Sequence, residues 1–167
     1  MLGGDPRRRL TEAKMIEPGD ALPAGMLEGS EGQFALADRK GPLVLYFYPK
    51  DDTAGCTREA QDFSALLPDF VALGVELLGV SKDSAAKHRK FSEKYELTVP
   101  LASDDGTVMA AFGVWIEKQL YGRRYMGIDR STFLFGADGR LFRAWRKVRV
   151  PGHAEAVLAA AKEMLGT

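Results

Sequence analysis

The chain carries a single cysteine, Cys56, in 167 residues. No intramolecular disulfide can form, which excludes a disulfide-held secreted scaffold. Histidine is nearly as scarce. His88 and His153 are the only two, neither belongs to a cluster with ligand spacing, and no metal site is expected. Neither sign of charge is in excess, with 23 Lys plus Arg against 23 Asp plus Glu, so nothing points to nucleic acid. No apolar run approaches the roughly 20 residues that span a bilayer. No GxGxxG follows a strand, and no glycine-rich loop precedes a Lys-Ser/Thr pair, so nucleotide chemistry has no support and no cofactor is expected. Arg7, Arg8 and Arg9 are followed by no apolar segment, which is not the pattern of a secretory signal. Residues 1–16 read as a mobile tail ahead of one domain over 17–167, with the cytoplasm as the expected location.

What remains is the composition of an ordinary packed domain, 46% hydrophobic and 28% charged. Gly29-Ser30-Glu31-Gly32 separates extended segments around Leu27 and Phe34–Leu36, the pattern of a small N-terminal hairpin. Leu43–Tyr48 is uncharged throughout and reads as a strand covered on both faces. Pro49 ends it, Lys50–Gly55 form a polar loop, and from about Cys56 the apolar residues Ala60, Phe63, Leu66 and Leu67 recur on one helical face. Pro68 is expected to interrupt that helix or open another. Val75–Val80 is a second buried strand. A helix capped by Asp83 or Ser84 runs to about Tyr95, a short strand covers Val99–Leu101, and Gly106–Phe112 is a short helix. Ser131–Phe135 and Leu141–Val148 form a hairpin turning at Asp138-Gly139, and Pro151–Leu165 is a closing helix. Successive βα units followed by a hairpin give an α/β fold, a mixed central sheet with helices on both sides, arranged as in the thioredoxin-like fold.

The chemistry concentrates between Pro49 and Cys56. A buried strand delivers the loop, and the loop delivers Cys56 to the first turn of a helix. The first N–H groups of a helix have no internal partner, and the dipole is positive there. Both favour a negative sulfur, and the thiolate is the nucleophile. Thr53, three residues earlier, either caps the helix or turns its hydroxyl toward the sulfur or a bound oxygen. Pro49 is either a strand terminator or a wall that keeps water from the sulfur. Asp51 and Asp52 read as solvated loop carboxylates, and His88 and His153 as surface or capping residues.

The motif Pro49-Lys50-Asp51-Asp52-Thr53-Ala54-Gly55-Cys56-Thr57, preceded by Tyr46-Phe47-Tyr48, resembles the active-site segment of the peroxiredoxins. Within them it is most similar to the bacterioferritin comigratory protein, or peroxiredoxin Q, branch. Leu78–Ser84, Leu101–Asp104, Tyr125–Phe133, Trp145–Val148 and Gly152–Ala154 resemble further segments of that branch, so the likeness covers roughly residues 17–165. It implies that Cys56 is the peroxidatic cysteine, Thr53 hydrogen-bonds the peroxide, Pro49 shields the site, Arg130 completes the pocket and Glu59 orients Arg130. Spacing alone does not choose Arg130 over Arg123 or Arg124. Apart from the resemblance, Glu59 reads as a first-turn carboxylate favoured by the dipole. Two positions depart from the branch: Ala54 stands where Pro is usual, and Gln61 where many members carry a resolving cysteine. Either the chain is a natural one-cysteine member or a second cysteine has been replaced; the first is the reading taken.

The resemblance therefore implies a thiol peroxidase. Hydrogen peroxide or an organic hydroperoxide oxidises Cys56 to a sulfenic acid, and an external thiol, thioredoxin above all, reduces it again. Glutathione or glutaredoxin are alternative reductants. A monomer or weak dimer is expected, with no membrane or nucleic-acid partner. Two other readings stay open: a redox sensor or relay that uses the same cysteine with slow turnover, and a structural protein in which Cys56 is inert.

Overall fold

The computed structural model describes residues 15–39 and 41–167, so the expectation of a mobile tail lies outside the described residues for positions 1–14. Ile16, assigned by sequence to that tail, is buried against an apolar cluster that includes Leu27, Val108 and Leu141. Its carbonyl accepts a hydrogen bond from Arg146 Nη2 at 3.2 Å. The packed body thus begins at least one residue before the expected boundary.

Gly32, with φ of 110°, closes the first hairpin between β1 (Met26–Gly29) and β2 (Gly32–Ala35). The uncharged run becomes β3 (Leu43–Phe47), followed by helix α1 (Ala54–Ala72), β4 (Glu76–Ser81), helix α2 (Ala85–Tyr95), β5 (Leu101–Ser103) and the short helix α3 (Thr107–Phe112). Then come β6 (Trp115–Leu120), β7 (Arg123–Ile128), β8 (Ser131–Phe135), β9 (Leu141–Trp145) and the closing helix α4 (His153–Leu165). Seven strands form one sheet in the order β2-β1-β5-β4-β3-β8-β9. β3, β4 and β5 are parallel neighbours, β8 runs antiparallel against β3, and β1 joins β5 through the pair Glu28 and Ser103. The result is the mixed sheet of a thioredoxin-like fold with an N-terminal hairpin.

Side chains alternate across β3 and divide the core in two. Val44, Tyr46 and Tyr48 face Phe63, Phe70, Phe91 and Val157 from helices α1, α2 and α4. Leu43, Leu45 and Phe47 face Met109, Phe112 and Phe133 on the other side. Because both faces are covered, β3 can carry no charge, which is why its sequence is legible.

Three expectations are corrected, and one element lies beyond them. Pro68 lies inside α1 rather than ending it. A proline offers no N–H to the carbonyl four residues back, and that carbonyl, of Ser64, accepts instead from Thr98 Oγ1 at 3.3 Å. Ser64 Oγ also accepts from the amides of Thr98 and Val99, so the segment leading into β5 is laced to the helix where its own ladder lapses. The third strand begins at Leu101 instead of Val99. The last helix starts at His153, after a left-handed Gly152 (φ 75°) that breaks the path from Pro151. Finally, β6 and β7 form a separate two-stranded ribbon that the sequence reading did not mark. Its residues are mostly exposed, so no apolar alternation betrays it. Its turn carries positive φ at both Tyr121 (51°) and Gly122 (76°), a primed hairpin turn with tyrosine where Asn, Asp or Gly is the usual signal.

Tyr46 is wholly buried and stacks on Phe63 with ring centroids 4.5 Å apart. Its ring also lies across Gly79, where a Cβ would meet Tyr46 Cζ at 2.5 Å. Gly79→Ala is expected to destabilise the fold by ~2 kcal/mol, the cost of overpacking a rigid aromatic. Urea unfolding of the variant checks this, and an unchanged midpoint contradicts the packing account.

Candidate active site

Thr53 is the N-cap of α1, with extended backbone (φ −97°, ψ 156°). Its carbonyl accepts the first helical hydrogen bond, from Thr57 N at 2.8 Å. Its hydroxyl does not cap the helix, as one sequence reading had it; it donates back across the loop to the Lys50 carbonyl at 2.9 Å. The amides of Ala54, Gly55 and Cys56 are therefore left without a partner inside the helix. No acidic side chain occupies the first turn to neutralise them. Cys56 is the third helical residue and is 1% exposed. Pro49, Thr53, Ala54 and Gly55 around it are exposed.

Arg130 reaches this sulfur from the link between β7 and β8. Its Nη2 donates to Cys56 Sγ at 3.3 Å, and its Nη1 donates to Glu59 Oε1 at 2.6 Å. Cys56 and Glu59 lie three residues apart on one helical face, so a single guanidinium grips both with its two forks. A Cβ on Gly55 would stand 3.2 Å from Arg130 Nη2 and press on the guanidinium. Arg123 and Arg124 lie exposed on β7, and Arg124 faces Glu117 at 3.7 Å. Of the three arginines that spacing left equivalent, Arg130 is the one that reaches the sulfur.

The electrostatics are those of a dry site. Burial pushes the Glu59 carboxyl up to about 7, against the opposing pull of Arg130. Burial also works against the Arg130 charge, but Glu59 and Cys56 outweigh it and hold the guanidinium above its usual range. Glu59 Oε2 and the Tyr46 hydroxyl are buried without a hydrogen-bond partner among the described residues. Burial first, and then the charges of Glu59 and Cys56, keep Tyr46 well above the usual phenol range, so it stays protonated.

Both histidines were expected in surface or capping roles, and both are buried. His153 Nε2 is 2.8 Å from Thr132 Oγ1, and its ring stands edge-on to Phe63 and Trp145. Burial and then the Arg130 charge hold it down to about 4, so it is neutral at pH 7. His88 lies 2.7 Å from Asp51 Oδ2, and Asp51 is buried rather than solvated. Asp52 is exposed as expected but is tied to Lys94 and Tyr95. Sequence reasoning gave roles to none of Thr132, His153, Asp51 and His88. For Asp51, Thr132 and His153 the only available signal was their position inside the family-like segments; His88 lies in none of those segments. Among the described residues no three His, Cys, Asp or Glu side chains gather as a metal site requires.

A buried sulfur facing a permanent cation and unpartnered helix amides can hold negative charge and attack an electrophilic atom. Comparison with known proteins agrees with that chemistry. Residues 18–143 match the AhpC/TSA family. The chain is 54% identical over 121 residues to the peroxiredoxin Bcp of Xanthomonas campestris pv. campestris, covering 72% of this chain and 76% of that protein. It is 47% identical over 152 residues to the peroxiredoxin Bcp of Bacillus subtilis, covering 89% and 97%. Among solved structures, Xanthomonas campestris bacterioferritin comigratory protein, studied for alkyl peroxide reduction, superposes with a TM-score of 0.80 at 48% identity, over 86% of this chain and 98% of that one.

The two shifted groups pull stability in opposite directions with pH. Folded Glu59 keeps its proton up to about 7, whereas an unfolded carboxyl loses it near 4.5, so its burial costs stability as pH rises through that window. Folded His153 stays unprotonated down to about 4, whereas an unfolded imidazole binds a proton near 6.5, so its burial costs stability as pH falls through that window. Glu59→Gln should therefore gain on the parent as pH rises from about 4.5 to 7, and His153→Gln should gain as pH falls from about 6.5 to 4. Each change is on the order of 3 kcal/mol. Urea unfolding at a series of pH values measures both, and differences that do not vary with pH rule the assignments out.

Proposed function

The chain belongs to the AhpC/TSA family as a Bcp-type peroxiredoxin, a thiol peroxidase, and from that premise we propose that Cys56 is its peroxidatic sulfur, with Arg130, Thr53 and Pro49 completing the peroxide pocket and Glu59 orienting Arg130. The observation that carries this reading is the 3.3 Å contact between Arg130 Nη2 and Cys56 Sγ, with the same guanidinium anchored on Glu59 at 2.6 Å.

The thiolate attacks the terminal oxygen of the hydroperoxide in line with the O–O bond. Arg130 and the helix amides lie where charge develops, so they need little reorganisation as the bond breaks. The Thr53 hydroxyl proton is engaged by Lys50, so toward substrate Thr53 is an acceptor, suited to the O–H of the peroxide. Pro49 stands at the exposed rim of the loop. The sulfur gains an oxygen and becomes a sulfenic acid, and water or an alcohol leaves after taking up a proton. Both hydrogen peroxide and alkyl hydroperoxides are substrates in this reading, the second supported by the alkyl peroxide reduction of the Xanthomonas relative.

Cys56 is the only cysteine in the chain. An external thiol must therefore displace the sulfenic oxygen as water and leave a mixed disulfide, which a second thiol resolves. Thioredoxin, which carries both thiols, is the reductant we propose, in the cytoplasm, for a protein that is a monomer or weak dimer.

Cys56→Ser is expected to stay folded and to lose peroxide turnover in a thioredoxin-coupled assay. Arg130→Met should lower kcat/KM for peroxide by about 10²- to 10³-fold, the cost of removing one donor to developing charge. Mass spectrometry after one equivalent of peroxide should find a single added oxygen on Cys56, exchanged for a mixed disulfide when thiol is supplied. Undiminished turnover in Cys56→Ser removes the assignment. A single burst without steady turnover favours a sensor.

A further inference from the structure

Asp51 and Asp52 sit between the end of β3 at Phe47 and the helix that carries Cys56, and each is tied to α2. The Asp51 side chain is buried. Its Oδ1 accepts from the Tyr48 hydroxyl at 2.5 Å, and its Oδ2 faces His88 Nδ1 at 2.7 Å. His88 in turn meets the Ala102 carbonyl of β5 through Nε2 at 3.1 Å. The Asp51 amide donates to Asp83 Oδ2 at 2.8 Å, and that same oxygen accepts from the Ser81 hydroxyl at 2.7 Å. One loop residue is thus fastened to the ends of β3 and β4, to α2 and, through His88, to β5. Its neighbour Asp52 has a left-handed backbone (φ 62°), a conformation that costs a non-glycine residue about 1 kcal/mol and persists where its surroundings impose it. The imposing partners are the Tyr95 hydroxyl at 2.5 Å on Oδ1 and Lys94 Nζ at 2.9 Å on Oδ2. Together they hold the Asp52 carboxyl below the usual carboxylate range.

We propose that Asp51 and Asp52 are positioning residues of peroxide reduction, a two-point clamp that holds the Lys50–Thr53 loop on α2 and so fixes Thr53 and the first turn around Cys56. The inference rests on the peroxidase reading of Cys56. The link is short. Thr53 follows Asp52 directly, its hydroxyl closes the loop on Lys50, and its carbonyl starts the helix. A shift of the loop moves the hydroxyl and the free amides off the peroxide, and misplacement by about 1 Å can cost up to 10²-fold in rate.

The clamp acts oppositely on the two halves of the cycle. Cys56 is 1% exposed. A small peroxide can use the assembled pocket, but the thiol of a protein reductant cannot approach the sulfur in line until the loop and first turn move. Loosening the clamp should slow oxidation and speed re-reduction. A role in general stability alone would leave both rates unchanged or lower both.

Two variants test this in single-turnover stopped-flow experiments. Asp51→Asn removes the charge from the buried contact with His88 and carries the risk of misfolding. Tyr95→Phe removes one hydroxyl from Asp52 at a site outside the loop, so it decides the question should Asp51→Asn fail to fold. Oxidation by hydrogen peroxide is expected to slow by roughly tenfold in Asp51→Asn and about threefold in Tyr95→Phe. Reduction of the sulfenic acid by a bacterial thioredoxin is expected to quicken in both. Parental oxidation rates in the folded variants, or a parallel fall of both half-reactions, overturn the clamp while leaving Cys56 as the peroxidatic residue. Absence of Cys56 oxidation in the parent overturns the peroxidase reading instead.

Discussion

Everything at this site depends on one permanent cation being withdrawn from water beside two groups that need it. A guanidinium only partly hydrated attracts a sulfur and a carboxylate far more strongly than it could at the surface. The same withdrawal makes each of the three expensive alone. Removing Arg130 would leave Glu59 buried with neither of its oxygens partnered, since Oε2 already has none. The helix supplies the geometry by setting Cys56 and Glu59 three residues apart. The junction of β7 and β8 supplies the arginine from a different part of the chain. Neither segment makes a site without the other.

The fold is the device that brings these segments together. β3 is the central strand of its neighbourhood, parallel to β4 on one side and antiparallel to β8 on the other. Its C-terminal end feeds the Pro49 loop, and the β8 strand paired with it begins one residue after Arg130. The ladder pairs Phe47 with Ser131, so the register of one strand pair fixes how far the guanidinium stands from the loop. Core packing, strand pairing and chemistry are coupled at that point, and Gly79 under Tyr46 is one of the concessions that keep the sheet tight enough to hold it.

How much of this was legible in the sequence follows from how local each cause is. Strand β3, the loop and Cys56 at a helix mouth could be read from a few adjacent residues, because an uncharged run, a proline and an apolar period of 3.6 each have a local cause. Arg130 could not be chosen that way and needed the family resemblance, since its partner lies 74 positions away. The burial of His88, His153 and Asp51 was misread because a polar side chain goes inside only when a distant partner meets it, as Asp51 meets His88 and His153 meets Thr132. Pro68 was misread for the same reason: whether a helix survives a proline depends on who takes the freed carbonyl, here Thr98. The β6–β7 ribbon escaped notice because it buries little, and burial is what writes a pattern into sequence.

The solitary sulfur sets a limit on traffic. On the proposed cycle, with Cys56 the only cysteine in the chain, each molecule stores the two-electron oxidation of one peroxide and must then wait for a visitor to collect it. A molecule struck again while waiting is carried to the sulfinic state and drops out of service. On the proposed cycle, the supply of donor therefore sets how long each oxidised molecule stays open to a second hit.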